Sequence, residues 1–206
     1  MKNGIFLFLI CFLGLNTIAK ADSPLTSTDL ASAYRNEKIV KTAESANGVL
    51  TDELMRYLNG KSNPIYLKIA VINKLGWNIN GKNEAEVFWN FLQKNNKFKS
   101  LEDFKKKGSA DQLICYAYLK ALDNYFDVEE ALAISKLAVK KDKKSSYSIN
   151  IISALIDAQN SFKNDWCQVW KCTDKVRKNT KLKRDLAEAA IQNIFEYMDL
   201  YKDECK

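Results

Sequence analysis

The chain has 206 residues and a net charge of +7, from 32 lysines and arginines against 25 aspartates and glutamates. It contains no histidine, which removes Ser-His-Asp and Cys-His catalysis, histidine-ligated metal sites and any imidazole pH switch. Seven glycines and two prolines are far below the usual share, and no stretch alternates apolar and polar residues as a strand does, so the chain is expected to form helices joined by short turns.

The first 21 residues have three parts. Met1, Lys2 and Asn3 give a short positive start, Ile5 to Leu15 an apolar run, and Ala19, Lys20 and Ala21 a small-x-small cleavage site. This is the pattern of a secretory signal peptide, too short to span a membrane. Cys11 lies inside the apolar run rather than just after it, so a lipid anchor is not expected. The mature chain then begins near Asp22 and is exported, to a bacterial periplasm or into the medium. Cleavage takes 21 of the 206 residues and two of the positive charges, Lys2 and Lys20, leaving 185 residues and +5. That length suits one all-helical domain over 22–206 with an adequate core. The mature chain carries no Asn-x-Ser/Thr acceptor, which leans towards a bacterial source.

Ser27 or Thr28 can cap a first helix through Leu30 and Tyr34, and the apolar positions Ile39, Val40 and Ala43 extend it to Gly48. Thr51 caps a short helix that Gly60 stops, and Asn63-Pro64 opens another, with Gly76 as its left-handed terminating residue. Asn83 opens a helix with Val87, Phe88, Phe91 and Leu92 on one face; Ser100 caps a small basic turn and Ser109 a stronger helix. Asp127, with Glu130 three residues on, makes a variant capping box for a helix ending at the lysines of 140–144. The last third is expected as two long helices: one stripe over about 147–177, a turn at Asn179-Thr180, and an answering stripe from Leu182 to Tyr201. The fold class is therefore all-α, a single compact bundle or array of eight to ten helices ending in a long antiparallel pair. Residues 113–143 resemble part of one tetratricopeptide unit, with Ala131 and Ala138 seven apart, but Leu119 stands in place of its glycine and Lys143 in place of its proline. A general helical array is expected rather than a repeat protein.

Cys115 sits in an apolar context, whereas Cys167, Cys172 and Cys205 are disulfide candidates in an oxidising compartment. Five residues apart on one helix puts Cα atoms about 8–9 Å apart, beyond disulfide reach. A straight hairpin turning at 179–180 would put Cys205 opposite about residue 154, from the helical rise. Any bridge in this trio therefore needs a helix break, for which Asn164-Asp165 is suited, or a bent C-terminal helix; the pairing stays open.

Trp77, Asn78 and Asn80 form a loop that is a candidate binding surface. Its asparagines fall on EF-hand positions, but Gly76 and Val87 occupy the positions that must be carboxylates, so no metal is expected. Lys171, Lys175, Arg177, Lys178, Lys181, Lys183 and Arg184 surround the last turn as a candidate anion-facing patch. Those near 181–184 would stand at the wrong end of the final helix for its dipole. Glu84 and Glu86, and Glu129 and Glu130, are the carboxylate pairs available for glycan hydrolysis. Neither Cys-x-x-Cys nor Ser-x-x-Lys occurs. With no catalytic residue and no cofactor implied, the expectation is an exported, non-enzymatic module that binds an extracytoplasmic protein. An anionic polymer or membrane surface is a further partner class; nucleic acid is not expected, for want of aromatics among the basic residues. The alternatives are a helical carrier of an apolar ligand and a carboxylate-dependent cell-wall glycan enzyme.

Overall fold

Short-range capping starts several helices where the sequence places them. In the computed structural model, which describes residues 23–76 and 83–206, the hydroxyls of Thr51, Ser100 and Ser109 accept from the N–H groups of Leu54, Asp103 and Gln112. They open α2 (Asp52–Asn59), α5 (Leu101–Lys107) and α6 (Ala110–Asp123). At Ser109 the capping box closes, because the Gln112 side chain accepts from the Ser109 N–H at 2.9 Å. The leader expected over 1–21 and the loop residues Trp77, Asn78 and Asn80 lie outside the described residues.

The other helices are α1 (Lys38–Ser45), α3 (Ile65–Gly76), α4 (Glu84–Asn96), α7 (Glu129–Lys141), α8 (Tyr147–Ser161), α9 (Trp166–Arg177) and α10 (Glu188–Met198). The architecture is a compact all-α array of ten α-helices, with no strand among the described residues. Three helices, α3, α6 and α8, are buried on nearly every side and pack on one another. This is how a helix without a polar face must be placed. Around them, α1 lies on α3, α4 on α6, α9 on α8, and α7 on both α6 and α8. Asn47 and Gly48, at φ 49° and 87°, reverse the chain between α1 and α2.

Long-range polar contacts fix the ends. Asn73 of α3 is 2 % exposed; its Oδ1 accepts from Ala31 N at 2.9 Å, and its Nδ2 donates to Thr28 O and the Tyr118 hydroxyl. The N-terminal segment is thereby tied to α3 and α6. Asn193 of α10 donates to Asp29 O and Ser32 Oγ, and Ala187 N donates to the Tyr34 hydroxyl, so the two ends of the described chain meet.

Several local expectations change. Residues 31–34 form a 3-10 turn with no side-chain cap from Ser27 or Thr28, and α1 is separate from it. Gly76 is the last residue of α3 and not left-handed; a Cβ there would lie 2.6 Å from Leu122 Cδ1. A side chain there would have to displace the Leu122 side chain, so glycine suits the close approach of α3 to α6. The Asp127 capping box does not form: α7 starts one residue later, after an uncapped Val128. The stripe over 147–177 is two helices, parted at Phe162 to Asp165, and the Asp165 carboxylate caps the second by accepting from Gln168 N at 2.8 Å. The turn at 179–180 widens into a loop over 178–187, because Lys183 pairs with the start of α8. Lys183 N donates to Ser145 O at 2.8 Å, and Tyr147 N to Lys183 O at 3.0 Å. Asp185, expected in the final helix, instead accepts from Ser148 N at 2.9 Å and from the hydroxyls of Ser146 and Ser148.

Candidate functional site

The C-terminal end of α5, the N-terminal end of α6 and the C-terminal end of α7 meet around a cleft of about 870 Å³. Each α-helix end leaves backbone groups without a partner inside the helix, so junctions of this kind need side chains from elsewhere. Lys141, in the last turn of α7, supplies one: its ammonium donates to Lys105 O, Lys106 O and Gly108 O at 2.8, 2.7 and 3.1 Å. That single cation satisfies the carbonyl end of α5 and clamps α7 over it. On the opposite wall Gln112 Nε2 donates to Asn59 Oδ1 at 2.7 Å, tying α2 to the start of α6.

The floor holds a buried charge. Lys68 of α3 is 1 % exposed, and its ammonium meets the Asp111 carboxylate of α6 at 2.8 Å. An ammonium has three donors, and Asp111 takes one of them. Asp142, the second carboxylate on the cleft wall, is turned inward and accepts from the N–H groups of Lys144 and Ser146. The rim differs from both. Lys61, Lys106, Lys140, Lys143 and Lys144 line the cleft and are exposed. None of their ammonium groups has an ion-pair or hydrogen-bond partner among the described residues. Elsewhere Lys74, Lys107, Lys120 and Lys178 meet carboxylates at 2.9 Å or less, whereas Lys38, Lys41, Lys94 and Lys97 are exposed without ion pairs among the described residues but are not gathered around a cleft.

The basic patch read from the sequence is divided. Arg177 is bound to Asp174 at 2.7 Å and Asp199 at 2.8 Å, and it lies over the Phe195 ring; Lys178 pairs with Asp174. These two cations are internal ties. Burial works to raise the Asp174 pKa, yet the hydrogen bonds from Lys178 and Arg177 prevail and hold it below the ordinary carboxylate value. Arg177 does the same for Asp199, directly. Arg184 lies 4.9 Å from the Tyr147 ring centroid. Lys171 and Lys175 line a different groove, among α7, α8 and α9. Lys181 and Lys183 stay exposed in the 178–187 loop, not on a helix, so the dipole misfit that singled them out does not arise. The backbone pairing of Lys183 with Ser145 to Tyr147 sets that loop beside the lysines of 140–144. The sequence missed the lysine cleft. Its only signal there was two lysine runs, at 105–107 and 140–144, each at the end of a helix where cations are ordinary dipole partners.

The carboxylate pairs also separate. Glu84 Oε2 accepts from Leu50 N at 2.6 Å and is structural. Glu86 faces a 430 Å³ hollow with Glu130, Asp123, Trp89 and Tyr116, whereas Glu129 lines another hollow. Glu130 is held by Lys120 at 2.9 Å. Asp123 caps α4 by accepting from Glu84 N and Ala85 N, and burial raises its pKa against those bonds. Among the described residues no group of three or more Cys, Asp or Glu is arranged to hold a metal, and no helix is long and apolar enough to cross a membrane.

Of the cysteine trio, Cys167 and Cys205 are joined as a disulfide, with Cα atoms 4.7 Å apart. Both geometric conditions are met at once. The chain breaks ahead of α9, and past Met198 it narrows to a 3-10 stretch (Asp199–Cys205) that folds back on α9. Tyr201 packs there against Phe162 and Trp166. Cys172 and Cys115 are free and buried; burial pushes their thiols up to about 11 and about 12. Comparison with known proteins gives no matching family model, curated protein or solved structure.

Proposed function

We propose that this chain is an exported, non-enzymatic module that binds a protein partner, with the junction of α5, α6 and α7 as its binding face. The observation that carries this reading is the gathering of like charge around one concavity. Five exposed lysines share one cleft rim, and none has a carboxylate partner among the described residues. Unneutralised like charge around a concavity raises the local potential and costs some stability through self-repulsion, and a complementary surface relieves that cost. The walls are held by Lys141, Gln112 and the Lys68–Asp111 pair, so docking would not have to order them first. Export is supported by the three-part pattern of residues 1–21 and is in keeping with the Cys167–Cys205 bridge.

The test is native mass spectrometry of the protein drawn gently from the extracytoplasmic fraction of its own host. A stoichiometric protein adduct on a chain shortened by about 21 residues is the expected result. A small-molecule adduct would favour the carrier reading, and a bare chain would overturn protein binding. Retention of residues 1–21 would overturn export.

A further inference from the structure

We propose that the lysine cleft receives an acidic polypeptide segment, whose aspartate and glutamate side chains lie along Lys61, Lys106, Lys140, Lys143 and Lys144. This rests on the reading that the partner is a protein and specifies what that protein presents.

Three features select this occupant. Neither carboxylate of the lining pairs with a rim lysine, since Asp111 meets Lys68 and Asp142 accepts from the backbone of 144–146. The lining thus sets eight lysines against two aspartates, an excess that favours an anionic ligand. The cations are all lysines, which act as compact point charges and do not impose the bidentate geometry with which arginine grips phosphate. Point charges spread along a rim suit carboxylates on a chain that adjusts its own side chains. The lining holds no aromatic side chain, so bases of a nucleic acid would find nothing to stack on.

Shape adds to chemistry. A membrane surface is broad, and a concavity of about 870 Å³ would touch a headgroup plane only at its edges. A peptide fits such a space, where Ala110, Leu137 and the lysine stems offer apolar contact to its methylenes. The exposed Lys183, whose backbone pairs with Ser145 and Tyr147, adds positive charge next to the 140–144 segment.

The test is fluorescence anisotropy of labelled octaglutamate with the full chain at low ionic strength, in three forms. These are the unmodified protein, the cleft variant Lys143→Glu/Lys144→Glu, and Lys171→Glu/Lys175→Glu, which changes net charge equally on α9. All four positions are exposed, and Lys106→Gln/Lys140→Gln serves as a second cleft variant if the first misfolds. Octaglutamate should bind the unmodified chain, weaken roughly tenfold or more in the cleft variant, and stay within about twofold in the α9 variant. Equal loss in both reversals would mean attraction by bulk charge only and would overturn the proposal. So would absence of octaglutamate binding, or cleft-dependent binding of polyphosphate or phosphatidylglycerol vesicles in its place. The two readings fail separately. A partner retained in full by the cleft variant refutes the acidic-segment inference and leaves protein binding standing. Cleft-dependent octaglutamate binding by a chain that carries no protein in its host does the reverse.

Discussion

Removing the two partners of the buried ion pair should have unequal effects. Lys68 has 2 % of its side chain exposed and Asp111 34 %. In Asp111→Ala the ammonium stays in the interior with no counter-charge. Breaking a buried pair in this way costs about 3–5 kcal/mol, and the lower end applies because water already reaches the carboxylate. In Lys68→Met the side-chain volume is nearly kept, and the orphaned Asp111 can turn to solvent at the first turn of α6, where a negative charge is favourable. That variant should lie within about 1 kcal/mol of the parent or be more stable. For a chain of this length a loss near 3 kcal/mol lowers the melting temperature by roughly 6–12 °C. Urea unfolding at pH 7, read at constant m, measures the difference. The double variant should recover most of the Asp111→Ala loss. Greater damage from Lys68→Met, or an Asp111→Ala cost below about 1 kcal/mol, would contradict the asymmetry.

Other consequences are testable in the same material. Reducing the Cys167–Cys205 bridge, with its sequence separation of 38, releases up to about 4 kcal/mol of loop-closure entropy. Melting with and without dithiothreitol should show a clear downward shift; coincident curves would mean the bridge does not form in solution. Cys115 and Cys172, with thiols near 12 and 11, should resist iodoacetamide at pH 8 in the native state and react in urea, as peptide mapping would show. Native alkylation of either would contradict their burial. Asp174 and Asp199 have folded pKa values below ordinary, so their stabilising effect is complete above the unfolded value of about 3.9 and is lost as pH falls through the folded values. Arg177→Gln should therefore be destabilising at pH 7, and its gap to the parent should narrow in urea titrations below pH 4. A gap that is constant with pH would place its cause in packing on Phe195 instead.

What could be read from the sequence was what acts over three or four residues. Thr51, Ser100 and Ser109 cap their own helices, and the apolar spacing within α3, α6 and α8 marks them as core. What escaped reading acts between distant segments. Asp123 caps α4 from 38 residues away, and Asp185 binds the start of α8 from 37. No local pattern distinguishes either carboxylate from a solvated one. The loop over 178–187 is wide because Lys183 pairs with Ser145 and Tyr147, and that pairing cost the expected helix its first six residues. The disulfide was half legible: the apolar context of Cys115 left three candidate cysteines, but the pairing depended on how the chain folds back after Met198. The lysine cleft was hidden because each lysine run has an ordinary explanation at its own helix end. Only the packing of α7 over α5, clamped by Lys141, turns two unremarkable runs into one concave positive surface.

The most direct test of the proposed binding face is hydrogen exchange on the chain in complex with a protein partner recovered from its host. New protection should fall around Lys61 and on 105–112 and 140–144, which line the cleft, and should fade as salt screens the lysine rim. Protection confined to another face, such as the groove bearing Lys171 and Lys175, would contradict the assignment of this cleft as the binding site.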